Sequence, residues 1–122
     1  MGVRVLTVDD QATFRGVARE VIDATPGFVA IGDAASGEEA LLEVERLRPE
    51  LVLIDVRMPG LDGVEVAQRL RSTHPATLLV LVSTEDPIDL PSAAAIDGGF
   101  PFVRKQDFGP RALTRLWGEH RP

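Results

Sequence analysis

Leu51-Val52-Leu53-Ile54-Asp55 decides the fold. Pro49 ends whatever precedes it, and a short aliphatic run without polar alternation has no room for a helix. Such a run is the pattern of a strand covered on both faces in a parallel sheet. A carboxylate does nothing useful inside a strand of that kind, so Asp55 belongs at the rim of the sheet. The chain opens in the same way: Val3-Arg4-Val5-Leu6-Thr7-Val8 runs into Asp9-Asp10. The carboxyl rim of an open α/β sheet is where ligands bind. Three acids gathered there repel one another unless a positive group sits between them.

Around these two strands the chain alternates strand-like and helix-like segments, the mark of an α/β fold with a parallel sheet. Phe14, Val17, Ala18, Val21 and Ile22 recur at helical spacing and are expected to face inward, up to the breaker Thr25-Pro26-Gly27. A second short strand follows over residues 28–31. Ser36 and Glu39 have capping-box spacing and open a helix that buries Ala40, Leu41, Val44 and Leu47. Asp62 and Glu65 repeat that pattern ahead of Val64, Ala67 and Leu70. Residues 77–82 are almost wholly apolar and form a central fourth strand. Pro87 and Pro91 restrict the next segment, where residues 92–97 suit a short helix stopped by Gly98-Gly99. Phe102-Val103-Arg104 is a brief fifth strand. Gly109-Pro110 starts a last helix with Leu113, Leu116 and Trp117 on one face. Five strand–helix units and no linker make one domain over residues 1–122.

Composition narrows the function classes. A chain of 122 residues buries a core without staples, and with no cysteine it has neither disulfides nor thiolate metal sites. A formal charge of −6 and scattered arginines argue against nucleic-acid binding by this chain itself. No signal-peptide pattern is present, and the apolar runs fall far short of the ~20 residues that span a bilayer. A cytoplasmic domain is the expectation. Of the 13 basic residues only Lys105 is lysine, which suits a site needing a compact ammonium rather than a planar fork.

Each rim acid taken alone reads as a helix cap or a turn residue. Ser83 changes that, because it ends the fourth strand as Asp55 ends the third, and Lys105 follows the fifth. Two acids, a hydroxyl and an ammonium thus reach one edge from four strands. Two carboxylates about 4 Å apart cost roughly 4 kcal/mol at an effective dielectric near 20, a cost that a divalent cation turns into binding energy. All-oxygen donors suit Mg²⁺ better than zinc, and His74 and His120 read as surface residues. Such a pocket accepts a dianionic group such as phosphoryl. With neither a GxxxxGK[ST] loop nor a GxGxxG turn, no nucleotide cradle presents it. An aspartate is then the natural acceptor, as an acyl phosphate.

Val8-Asp9-Asp10, the string Asp55-Val56-Arg57-Met58-Pro59-Gly60-Leu61-Asp62-Gly63, Val82-Ser83 and the late Lys105 together resemble the receiver domain of two-component response regulators. The resemblance runs from Arg4 to about Trp117. It implies a five-stranded, doubly wound parallel sheet of order 2-1-3-4-5 and a phosphoacceptor signalling domain rather than an enzyme. By resemblance Asp55 accepts the phosphoryl group from a sensor histidine kinase or a small acyl-phosphate donor. Asp10 and Asp55, with the Arg57 backbone carbonyl, hold Mg²⁺, and Asp9 holds a metal-bound water. Ser83 is the switch hydroxyl, Lys105 pairs with a phosphoryl oxygen, and Phe102 is the switch aromatic. The face of the short fourth helix, fifth strand and last helix would then change its partners: an output protein, or a second copy in a homodimer.

The chain also departs from that pattern. Phe102 lacks a phenol, and Thr84 is bulkier than the small residue common beside the switch hydroxyl. Arg57 and Glu85 flank the acceptor. The two prolines at 87 and 91 either rearrange the output face or shift that role to the first and last helices. The closing Glu119-His120-Arg121-Pro122 fits a free-standing receiver better than a piece of a DNA-binding regulator. Two other readings stand beside this one: a Mg²⁺-dependent hydrolase with an aspartyl nucleophile, and a binding module of receiver shape that takes no phosphate.

Overall fold

Five parallel strands lie in the order β2-β1-β3-β4-β5. The computed structural model describes residues 2–90 and 99–121. Its strands are β1 (Val3–Val8), β2 (Phe28–Ala34), β3 (Leu51–Asp55), β4 (Leu78–Ser83) and β5 (Phe102–Arg104). Its helices are α1 (Ala12–Ala24), α2 (Gly37–Leu47), α3 (Gly63–Thr73) and α4 (Pro110–His120), with single 3₁₀ turns η1 (Pro87–Asp89) and η2 (Lys105–Asp107). Among the described residues no helix is long and apolar enough to cross a membrane. The short helix expected over residues 92–97 lies outside the described residues.

Side chains alternate faces along a strand, and the core divides accordingly. Leu51, Leu53, Val80 and Val82 pack with Phe14, Ala18 and Ile22 of α1 and Leu113 and Leu116 of α4. Val52, Ile54, Leu79 and Leu81 pack with Ala40 and Val44 of α2 and Val66, Ala67 and Leu70 of α3. All five residues of β3 are buried, as an uninterrupted apolar run requires of a central strand. Trp117 packs against the α1–α4 side of the core, half-buried.

The expected caps form. Ser36 Oγ accepts from Glu39 N–H at 3.1 Å, and Asp62 Oδ1 accepts from Glu65 N–H at 2.9 Å. Three expectations are corrected. The second strand continues to Ala34 because pairing with β1 carries it through Gly32 and Asp33, residues of low strand propensity. Gly32 has no side chain where the Leu47 methyl sits, and an added Cβ would lie 2.9 Å from it. Val17 is 47% exposed, since the buried face of α1 is narrower than its apolar stripe. His74 is no free surface residue: its backbone N–H closes α3 on the Leu70 carbonyl at 2.7 Å, and its mostly buried ring meets Glu45 Oε2 at 3.1 Å.

Candidate functional site: a carboxylate rim with one lysine

The carboxyl ends of β1, β3 and β4 and the turn after β5 meet at one rim. Asp55 closes β3 opposite Val82, and Val56 N–H extends the ladder to Val82 O at 3.0 Å. Asp9 extends β1, its N–H donating to Ala34 O at 3.0 Å. Asp9 and Asp55 are both buried, while Asp10 next to Asp9 is exposed. The three offer carboxylate oxygens that all lie within 4.8 Å of one another.

The two carboxylate oxygens of Asp9 have different partners. Its Oδ1 accepts from Gln11 N–H at 2.8 Å, ordering the entry to α1. Its Oδ2 is buried with no aligned hydrogen-bond donor among the described residues. The neighbour there is Lys105 Nζ at 2.6 Å, an ion pair by distance alone. The same ammonium lies 3.6 Å from Asp55 Oδ2. Lys105 opens η2, so a one-turn helix rather than a strand end aims it at the rim.

Burial, and next the charge of Asp9, push the Asp55 carboxyl up from 3.8 to about 7. Lys105 and the Arg57 N–H, which donates to the Asp55 carboxyl, pull it the other way and do not prevail; Asp10 adds to the rise. One ammonium is therefore too little positive charge for three carboxylates. The donor set is all oxygen, with three carboxylates around a single ammonium, which fits a small hard cation such as Mg²⁺.

The other expected residues take separate places. Ser83 is buried one position beyond Val82, the partner of Asp55, and its Oγ accepts from Glu85 N–H at 3.2 Å. Phe102 faces Leu81 across β4–β5, and its half-buried ring packs on the α2–α3 side of the core, not on the acids. The Arg57 side chain turns away to make a bidentate ion pair with Glu85, joining the loops after β3 and β4. Thr84 is exposed.

A family model described as the response regulator receiver domain matches residues 5–116. The chain belongs to that family.

The response regulator GacA of Pseudomonas protegens is 43% identical to this receiver over 88 residues, 70% of this chain and 41% of that protein. A protein-glutamate methylesterase/protein-glutamine glutaminase of Geobacter metallireducens is 36% identical over 109 residues, 88% of this chain and 31% of that protein. The chain thus spans well under half the length of either relative. The crystal structure of the response regulator domain of Thermotoga maritima CheB superposes with a TM-score of 0.83 at 27% identity, covering all of both chains.

Two residues of this receiver's site carry more than their sequence signals suggest. Gly63, one letter of a motif, starts α3 directly against Asp55: an added Cβ would strike the Asp55 carbonyl oxygen, with Asp55 C at 2.7 Å and Val56 Cα at 2.8 Å. Phe14 reads as core by its spacing, yet its ring lies under the Lys105 ammonium. The first was legible as a motif position but not as a contact. The second had no signal of its own.

Proposed function

We propose that this receiver domain takes a phosphoryl group on Asp55 from the phosphohistidine of a sensor kinase, or from a small acyl phosphate, and thereby switches its partners. An Asp55 carboxylate oxygen attacks phosphorus, the N–P bond of phosphohistidine breaks, and the imidazole leaves. Asp9, Asp10 and Asp55, with the Arg57 backbone carbonyl, would hold Mg²⁺. Held there, the ion would supply charge neutralisation for the carboxylates and the phosphoryl oxygens. Lys105 pairs with a phosphoryl oxygen. The Ser83 hydroxyl, which at rest accepts from Glu85 N–H, turns to donate to another. Phe102 repacks, and the surface around β5 and α4 changes its affinity for an output protein or for a second copy.

The reading covers the chain as one unit acting in the cytoplasm. It is a signalling domain, not an enzyme with a separate substrate. The esterase and glutaminase activities in the relatives' names belong to proteins of which this chain spans 31%. The observation that carries the reading is the meeting of Asp9, Asp10 and Asp55 within 4.8 Å, with Lys105 3.6 Å from Asp55, in a member of this family.

Incubation with Mg²⁺ and acetyl phosphate, followed by intact mass, tests it. The expected result is one phosphoryl adduct that hydroxylamine removes and that Asp55→Asn abolishes. No adduct on the unaltered protein, or one that survives Asp55→Asn, overturns the reading. Sustained release of phosphate from many substrates without an adduct points to the hydrolase instead.

A further inference from the structure

Phe14 stands in the first turn of α1 and is 8% exposed. Its ring centroid lies 4.8 Å from Lys105 Nζ, within the range of a cation–π contact. The same ring tilts against Phe108, with centroids 6.2 Å apart and planes at 57°. Phe108 follows η2, and its backbone N–H donates to the Lys105 carbonyl at 3.2 Å. The contacts close a circuit: ammonium on Phe14, Phe14 on Phe108, Phe108 on the Lys105 backbone.

We infer that Phe14 is a positioning residue for phosphoryl transfer, holding the Lys105 ammonium over Asp55 by its ring face. The inference rests on Asp55 being the acceptor. An ammonium has three N–H donors, and the groups facing this one are Asp9 Oδ2 at 2.6 Å, Asp55 Oδ2 at 3.6 Å and the ring. The Lys105 side chain is only 11% exposed, so water covers little of the remainder. An aliphatic residue at position 14 would leave that part of the charge desolvated and unpartnered. The ring attracts a cation over its whole face rather than along one direction. It therefore lets Nζ shift from Asp9 toward an arriving phosphoryl oxygen without losing its third neighbour.

Isosteric fluorination separates this role from packing, because it weakens the ring's negative face while keeping its shape. Phe14 is replaced by mono-, tri- and pentafluoro-phenylalanine, and the rate of adduct formation with acetyl phosphate and Mg²⁺ is measured. The expected result is a graded fall reaching about three- to tenfold. Lys105, the only lysine, supplies a second readout through a single ¹³C-lysine ε-methylene resonance. It is expected upfield of its free position and is expected to return there in Phe14→Leu. A rate that stays flat across the series in a protein that does take the phosphoryl group overturns the role of Phe14 alone. An unshifted ε-methylene resonance overturns the contact. A protein that takes no phosphoryl group overturns the acceptor reading, and this role falls with it.

Discussion

The two ends of the sheet carry charge in opposite ways. At the amino end the Arg4 guanidinium donates to the Arg48 carbonyl at 2.5 Å and to the Leu47 carbonyl, closing the C-terminus of α2. Nearby, Arg48 pairs with Glu45 at 2.7 Å, His74 meets Glu45, and the Arg4 N–H donates to Glu50 Oε1 at 3.1 Å. Arginines and glutamates there are matched and mostly exposed, so each contact is cheap to make and cheap to lose. At the carboxyl end three carboxylates face one ammonium, and Asp9 and Asp55 are buried. The same sheet thus ends in a satisfied network on one side and an unbalanced one on the other. Unbalanced buried charge persists when packing holds it in place, and it leaves free energy for a ligand to recover.

Substitutions at the carboxyl rim are expected to cost far more than those at the amino end. Gly63→Ala is expected to cost more than about 3 kcal/mol in urea unfolding, because α3 must retreat from the Asp55 backbone and no side chain can give way. Lys105→Ala at pH 8 without metal is expected to cost about 3 kcal/mol, since it leaves buried carboxylates uncompensated. Adding Asp9→Asn to that variant is expected to recover part of the loss. A cost no larger than that of an exposed pair would make the two ends alike.

With Asp55 raised from 3.8 to about 7, the native state keeps a proton that the unfolded chain has released. Stability in metal-free buffer is therefore expected to fall as pH rises between those values, by up to about 1.4 kcal/mol per unit, and to level above them. The difference between the unaltered protein and Asp55→Asn isolates this slope, and saturating Mg²⁺ is expected to flatten it. Glu45→Ala, at the other end, is expected to stay within about 1 kcal/mol at any pH from 5 to 8.

Most of the architecture was legible because it is written in near neighbours. The run from Leu51 to Ile54 admits no helix, Ser36 and Asp62 cap the turns they precede, and strand parity sends Leu53 and Ile54 to opposite faces. The rim residues Asp9, Asp10, Asp55, Ser83 and Lys105 were legible for the same reason, each standing just past an apolar run. What tertiary structure alone decided involves residues far apart in the chain. β2 extends through Gly32 because β1 lies beside it, and Val17 stays 47% exposed because it lies off the buried face of α1. Gly63 is compulsory because α3 starts against Asp55. Phe14 serves Lys105 only because α1 and the turn after β5 flank the same rim. By itself the sequence determined which groups arrive at the site; long-range packing decided how far apart they stand, and distance and burial set the strength of a charge.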